Sequence, residues 1–324
     1  MSRIITKAAG YCDLNIKAES DNLKERVLEA LELGYQTVAI NTTVTDTGVD
    51  DTRKEKDSKG SSECSSMIPP PTTVTLSTAE LQERNITQSP IILTRLTVVY
   101  ADPSRPFLHK AKQAIEQYDL VAFTPLTEAA LKQVSQTLMY VDIISFDITN
   151  KKKWPRKIVH AALERDIYFE LQYGPCIGAS SSDKKQVQFR KTVELGFELA
   201  ECIRSHNVFV SSGASAVNTL RAPHDVANLA RFFGLSLGAS ICAVSSMNHD
   251  VVYCASQRRL GSNKCNVRIT FNCDDKTTDT TVDDRKENCE KINDDICSDN
   301  DHADKKCGDN YVGSSKKLKL KKES

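Results

Sequence analysis

The sequence predicts an α/β barrel of the TIM type, over residues 1–272, with a disordered tail at 273–324. Strand-like segments begin near residues 11, 37, 91, 120, 141, 168 and 207, and helical patterns separate most of them. Repeated βα units imply parallel strands joined by right-handed crossovers. Seven of them favour a closed barrel, with an open doubly wound sheet as the alternative. The residues beyond 272 are almost wholly polar and cannot bury a core.

The first two βα units are followed by a long interruption. Tyr11–Ile16 is the first predicted strand. A helix follows, with a cap within Ser20–Asn22, apolar residues at helical spacing and Gly34 as its C-terminal stop. Thr37–Ile40 is a short buried strand. The segment Thr42–Pro90 is mostly Thr, Ser, Asp, Lys and Pro, which predicts a long mobile loop.

The later strands are predicted from runs of β-branched and aromatic residues, and the helices from apolar positions three or four residues apart. The predicted strands are Ile91–Tyr100, Leu120–Phe123, Val141–Phe146, Tyr168–Leu171 and Asn207–Ser211. The predicted helices are Phe107–Gln117, Leu126–Leu138, Arg156–Leu163, Lys184–Ser205, His224–Phe233 and one or two within Leu237–Arg259. In the longest helix, Val193, Phe197, Ala200 and Ile203 are expected on one apolar face. The uncharged run Phe232–Met247 is interpreted as buried helix.

The formal net charge is zero, but the charges are unevenly distributed. Residues 1–272 carry a net charge of +3, residues 273–309 of −7 and residues 310–324 of +4. The near-neutral body argues against a simple polybasic nucleic-acid binder. Neither a secretory signal nor a membrane span is predicted, so the 11 Cys residues are interpreted as free thiols in a reducing compartment. A metal held by Cys297, His302 and Cys307 in the tail is the less favoured alternative.

In a TIM-type enzyme the active groups lie at the carboxyl ends of the strands. The frame Asp13-Leu14-Asn15-Ile16-Lys17 resembles the start of the PHP metallohydrolases, a distorted-barrel superfamily with two metal-binding His there. Asn15 and Lys17 stand at those places here. The second strand ends in Ile40-Asn41-Thr42 instead of an acid and a His, and Ser212-Gly213-Ala214 replaces a later Asp-Ala-His. Because Asn is a poor transition-metal ligand and a protonated Lys repels cations, we predict no metal, no cofactor and no catalytic residue.

The carboxylates in or beside the strands form no clear catalytic pair. Asp13, Asp142, Asp147 and Glu170 are interpreted as acids that accept hydrogen bonds from nearby backbone N–H groups, with a position facing the barrel mouth as the alternative. A metal-dependent phosphoesterase with unusual ligands is therefore only an alternative.

An ordered set of segments between about residues 11 and 260 resembles one protein family. The set includes Phe169-Glu170-Leu171-Gln172-Tyr173-Gly174-Pro175, and its most specific segments are Thr94-Arg95-Leu96-Thr97, Val210-Ser211-Ser212-Gly213-Ala214 and Leu220-Arg221-Ala222-Pro223-His224-Asp225-Val226-Ala227-Asn228-Leu229. They resemble the thirty-kilodalton protein subunits of ribonuclease P and ribonuclease MRP. Each segment alone is weak, but their order makes the set specific.

The resemblance implies a PHP-like barrel that lacks hydrolase activity and belongs to a ribonucleoprotein. That particle removes the 5′ leaders of precursor tRNAs, and its RNA carries the catalytic metals. The implied partners are the ribonuclease P or MRP RNA, a small subunit like an RNA-recognition motif and other proteins of the particle, with indirect contact to precursor tRNA. The resemblance also implies pre-rRNA processing in MRP and a nuclear, nucleolar location. A protein-only interaction scaffold is the other alternative.

A protein that stabilises folded RNA needs Arg and Lys side chains directed at phosphates. Arg95 lies among apolar and Thr residues, so its charge must reach a solvated strand end or find a partner. Arg221 follows the last predicted strand, at the C-terminal face of the barrel. These two, with Arg105, Lys110 and Lys112, are the predicted RNA- or partner-binding residues.

The basic end of the tail has the Lys density of a nuclear-import signal. A solvated charged terminus without such a role is the alternative. The candidate residues are Lys316, Lys317, Lys319, Lys321 and Lys322.

Overall fold

Seven parallel strands form the centre of the computed structural model, which describes residues 7–19, 22–46, 68–101, 103, 112–146, 155–178, 182–203 and 207–260. Each strand is hydrogen-bonded to the next in chain order. The strands are β1 (Tyr11–Lys17), β2 (Tyr35–Asp46), β3 (Ile91–Tyr100), β4 (Leu120–Pro125), β5 (Ile143–Ser145), β6 (Tyr168–Gln172) and β7 (Val208–Ser211).

The sheet curves until its two edge strands meet. Ile16 of β1 forms a parallel bridge with Ala214, just after β7, and the Lys17 N–H donates to the Ala214 carbonyl at 3.0 Å. This contact nearly closes the barrel and confirms the predicted fold class over the open-sheet alternative.

Helices surround the barrel and begin and end at residues with the expected local chemistry. Gly34, with φ +105°, ends the first helix, and Pro223 occupies the first turn of the helix after β7. The helices are α1 (Leu23–Glu32), α2 (Thr78–Glu83), α3 (Glu128–Gln136), α4 (Arg156–Leu163), α5 (Gly174–Gly178), α6 (Ser182–Ile203), α7 (Pro223–Phe232), α8 (Leu237–Cys242) and α9 (Ser246–Arg259).

Helix α9 covers the N-terminal end of the barrel. Val251, Val252 and Ala255 pack on apolar side chains contributed by the first halves of all seven strands. Arg258 fixes the helix in place, because its Nε and Nη2 atoms each lie 2.8 Å from a carboxylate oxygen of Asp142. Asp142 also accepts a hydrogen bond from the Val121 N–H at 2.9 Å, so this acid joins two strands to the helix.

The predicted loop at 42–90 is partly ordered, which corrects the prediction. Residues 42–46 continue β2, and α2 lies within the segment. Ser77 and Glu80 form a reciprocal capping box at the start of α2, and Arg84 donates to Glu25 at 2.6 Å and to Glu32 at 2.9 Å on α1. Ile68 is buried in the core, and Leu81 and Ile86 pack against a second buried cluster, so apolar contacts together with the Arg84 pairs hold this segment against the barrel.

The apolar face of α6 is rotated by one position from the prediction. Ile203 is buried as expected, but Phe197 is 56% exposed, and Leu199 and Thr192 are buried instead. The cause is Gly196, where an added Cβ would lie 2.4 Å from the Phe233 carbonyl oxygen. This close helix approach requires glycine on the inner face, which turns Phe197 outward.

Within the described ranges, no helix is long and apolar enough to cross a membrane. The predicted boundary at 272, the acidic segment and the basic end of the tail lie outside the described residues.

Candidate functional site

A layer of polar side chains fills the barrel above its apolar base, toward the carboxyl ends of the strands. Its members come from six of the seven strands and are buried: Asn15, Asn41, Arg95, Thr97, Ser145, Glu170 and Ser211. Buried polar groups are costly unless they are hydrogen-bonded, so the pairing within this layer decides what chemistry is available there.

An ion pair between Arg95 of β3 and Glu170 of β6 forms the centre of the layer. The two terminal guanidinium nitrogens donate to the two carboxylate oxygens, each at 2.6 Å. Because β3 and β6 are not neighbours in the sheet, this contact crosses the barrel interior. Burial favours the neutral form of Glu170, but the charge and hydrogen bonds of Arg95 outweigh it and lower the pKa of Glu170 from 4.5 to about 2.

Three further side chains, Thr97, Asn41 and Asn15, form a ring with the ion pair. The Arg95 Nε–H donates to Thr97 at 3.2 Å, and the Thr97 hydroxyl donates to Asn41 at 2.7 Å. The Asn41 amide then donates to Asn15 at 2.8 Å, and the Asn15 amide donates to Glu170 at 3.0 Å. Each side chain of the ring therefore has a partner inside the barrel.

These residues do not fit a metal centre. Asn15 and Asn41 use their amides within the ring. The one carboxylate in the ring is neutralised by Arg95, whose fixed positive charge would oppose a bound cation. Across the described part of the chain, no three His, Cys, Asp or Glu side chains are grouped to hold a metal ion.

Asp13 lies at the seam between β1 and β7. Its Oδ1 accepts hydrogen bonds from the backbone N–H groups of Ser212, at 3.1 Å, and Asn15, at 3.2 Å. Burial raises the pKa of Asp13 above its usual range in spite of these bonds. Asp13 thus accepts backbone hydrogen bonds at Oδ1 as expected, but within the described residues its buried Oδ2 has no hydrogen-bond partner, whereas Glu170 has a charged side-chain partner.

Comparison with known proteins decides the family. A family model described as RNase P subunit p30 matches residues 10–260 of this chain. The chain belongs to the RNase P subunit p30 family. This membership confirms the resemblance drawn from the sequence motifs and makes the chain a protein subunit of ribonuclease P.

Individual p30-family relatives cover much of the barrel. The chain is 33% identical over 243 residues to mouse ribonuclease P protein subunit p30, a match that spans 74% of this chain and 83% of the mouse protein. It is 26% identical over 171 residues to the probable ribonuclease P protein subunit 3 of Schizosaccharomyces pombe, spanning 52% and 68% of the two chains. A chain in a cryo-EM structure of archaeal ribonuclease P with mature tRNA has a TM-score of 0.50 and 12% identity, and the match covers 83% of this chain and all of the archaeal one. At that identity the archaeal likeness concerns the fold.

The p30-family motif residue Arg95 does not lie on the surface, which corrects the prediction of an RNA or partner contact. Its side chain is 0% exposed and also donates to the Leu14 carbonyl at 2.9 Å. A guanidinium without accessible surface cannot bind a phosphate. The sequence predicted that the Arg95 charge must reach a solvated strand end or find a partner. It is paired inside the barrel with Glu170, which is 75 residues away in sequence.

Arg221 and Lys112 are accessible. Arg221 is half-buried, and its Nη1 donates to the carbonyls of Leu220 at 2.6 Å and Asn218 at 2.9 Å. Among the described residues no carboxylate pairs with Arg221. Lys112 is exposed, with its Nζ 5.3 Å from the Tyr140 ring centroid and 4.0 Å from Glu116, and the Tyr140 hydroxyl raises its pKa.

The other predicted contact residues of this p30-family chain lie outside the described residues. They are Arg105, Lys110, Lys316, Lys317, Lys319, Lys321 and Lys322. Arg221 and Lys112 are therefore the members of the predicted set for which the structure shows an accessible side chain.

An exposed apolar patch on α6, α7 and α8 was not predicted. The uncharged run Phe232–Met247, expected to be buried, includes three accessible apolar side chains, Phe232 at 65%, Leu237 at 43% and Ile241 at 48%. Phe197 of α6 joins them, because its ring lies against Gly234 between α7 and α8. The lack of charge that suggested burial is equally typical of a surface covered by another protein.

Proposed function

We propose that this chain is a non-catalytic subunit of ribonuclease P that supports the catalytic RNA during removal of 5′ leaders from precursor tRNAs. The observation that carries the proposal is the match to the p30 family over residues 10–260. The interior agrees with a supporting role, because Arg95 neutralises Glu170, the one carboxylate of the polar ring. The phosphoesterase alternative is accordingly not favoured.

Recovery of the RNA from cells tests this function. The full chain is isolated under native conditions and the bound RNA is sequenced, with an unrelated barrel protein of similar size as the control. Enrichment of ribonuclease P RNA supports the proposal, and enrichment of MRP RNA would extend it to pre-rRNA processing. Recovery of neither RNA, or metal-dependent phosphatase activity that persists after RNA removal, would contradict the proposal.

We also propose that Arg221 contacts a phosphate of the RNA. Its guanidinium is accessible, lies beside the barrel on a short loop, and has no carboxylate partner among the residues that the structure describes. A guanidinium that is accessible and not paired with a carboxylate can bind a phosphate and release the counterion condensed there.

Arg221→Ala is expected to weaken RNA binding and to reduce the slope of log affinity against log salt by about 0.7–0.9, the value for one phosphate contact. Filter binding at several salt concentrations measures both quantities. Arg190→Ala is the matched control, because Arg190 is exposed on α6 and already pairs with Glu194 at 3.0 Å. Equal salt slopes for the Arg221 variant and the wild type would show that Arg221 does not contact a phosphate.

We propose that the exposed apolar patch contacts another protein of the particle, the small subunit that resembles an RNA-recognition motif. The patch places four large apolar side chains in water, which is unfavourable unless a partner covers them. Phe232 and Ile241 are well suited to substitution by Ser, since about half or more of each side chain is already solvent-accessible.

We propose nuclear, nucleolar action of the chain and import through its basic end. The Lys density of residues 316–322 supports this role. Fusing residues 310–324 to a large cytosolic reporter is expected to move the reporter into the nucleus. A fusion with the five Lys residues changed to Gln is the control, and a cytoplasmic distribution of the unaltered fusion would assign import to the partner proteins.

A further inference from the structure

The loop between β7 and α7 holds its single charged side chain in a defined place. In the segment from Ser212 to Ala222, Arg221 is the only charged residue. A 3₁₀ turn at Val217–Thr219 precedes it, and the carbonyls at the end of this turn accept the Nη1 hydrogen bonds of Arg221. The guanidinium therefore has a preferred direction instead of sampling all rotamers.

The backbone of Arg221 is held by two buried tyrosines. The Tyr35 hydroxyl donates to the Arg221 carbonyl at 3.0 Å, and the Arg221 N–H donates to the Tyr173 hydroxyl at 3.2 Å. Tyr35 begins β2 and Tyr173 follows β6, so the two contacts connect the loop to separate parts of the barrel. Both rings are buried, and burial raises the pKa of both hydroxyls.

The helix that follows the loop does not account for these contacts. Helix α7 begins at Pro223 and its first backbone hydrogen bond runs from Val226 to the Ala222 carbonyl, so the helix uses neither polar group of Arg221. The tyrosine hydroxyls instead converge on the residue of the loop that carries charge. Fixing a binding group before association reduces the conformational entropy lost on binding.

We propose that Tyr35 and Tyr173 are positioning residues that hold the Arg221 guanidinium ready for an RNA phosphate. The proposal rests on the Arg221 phosphate contact within the proposed function. The tyrosine hydroxyls do not touch RNA themselves; they fix the backbone from which the guanidinium extends.

A double-mutant cycle tests the proposal. RNA affinity is measured for Tyr35→Phe, Tyr173→Phe, Arg221→Ala and each Phe variant combined with Arg221→Ala, using a transcript of the ribonuclease P RNA from the same organism. Each Phe variant is expected to bind about fivefold more weakly, as for the loss of one ordinary hydrogen bond. In the Arg221→Ala background the same substitutions are expected to cause no further loss.

Tyr118→Phe is the matched control. Tyr118 is equally buried, and its hydroxyl donates to the Pro69 carbonyl at 2.7 Å, away from Arg221. It is expected to leave RNA affinity and the salt slope unchanged, although it too loses a buried hydrogen bond. Thermal unfolding of every variant separates lost stability from lost binding.

Two results would overturn the positioning role. In the first, Arg221→Ala weakens RNA binding while both Phe variants bind RNA like the wild type. Arg221 would then contact a phosphate without help from the tyrosine hydroxyls. In the second, the Phe variants weaken binding equally with and without Arg221, which means that they act through the fold. Normal RNA affinity of the Arg221→Ala variant would refute both the phosphate contact and the positioning role of the two tyrosines. The proposed subunit function would still stand if the native RNA is recovered with the chain.

Discussion

Replacing Arg95 with Ala is expected to lower the free energy of unfolding by about 3–5 kcal/mol, because it leaves the Glu170 carboxylate buried without its charged partner. In a barrel of this size each 1 kcal/mol shifts the melting temperature by about 2–4 °C, so a decrease on the order of 10 °C is expected. Thermal and denaturant unfolding measure the change. RNA binding by the folded fraction should keep the wild-type salt slope, since Arg95 has no exposed surface.

Arg190→Ala is the control for the Arg95 substitution. The Arg190 side chain is 83% exposed in its pair with Glu194, and exposed pairs contribute about 0–1 kcal/mol. The double replacement Arg95→Met with Glu170→Leu removes both charges and should be less destabilised than Arg95→Ala. The stabilising role of the Arg95–Glu170 ion pair would be contradicted by either of two results. One is a similar loss of unfolding free energy in the Arg95 and Arg190 variants, and the other is a double replacement that is less stable than Arg95→Ala.

The same pair predicts how stability changes at low pH. The pKa of Glu170 is lowered from 4.5 to about 2 in the folded chain, so between these values the unfolded chain binds the proton more readily. The contribution of Glu170 is therefore present above about pH 4.5 and is lost as the pH falls toward about 2. Unfolding measured across this range should show less acid sensitivity in the double replacement than in the wild type.

Replacing Arg258 with Ala is expected to lower the free energy of unfolding by roughly 3 kcal/mol. Asp142 is almost fully buried, and Arg258 supplies its charged partner through two hydrogen bonds of 2.8 Å. Since α9 covers the N-terminal end of the barrel, its loss of attachment should also expose the apolar base. Hydrogen exchange is expected to rise first in α9 and then in the strands beneath it.

Arg231→Ala is the control for the Arg258 substitution, because Arg231 lies in the last turn of α7 and is exposed. Its expected effect is within about 0.5 kcal/mol. Unchanged protection of α9 in the Arg258 variant would show that apolar packing alone holds the helix on the barrel.

The elements that follow from local sequence could be predicted closely. The β-branched run Ile91–Tyr100 has the predicted bounds, as does the helix Arg156–Leu163, and Gly34 ends α1 in the left-handed conformation that only glycine adopts easily. The seven βα units predicted the barrel itself. The residue types at Asn15 and Asn41 could be read from sequence, but their pairing within the ring could not.

Only the tertiary structure decided where several of these side chains point. The sequence left Arg95 with two outcomes, and Glu170 becomes its partner only when barrel closure places β3 and β6 across one interior. The outward turn of Phe197 likewise depends on the contact between Gly196 and Phe233. Local patterns encode strands, helix ends and missing ligands because their causes lie within a few residues, whereas charge pairing and surface patches depend on segments that the fold brings together over long sequence distances.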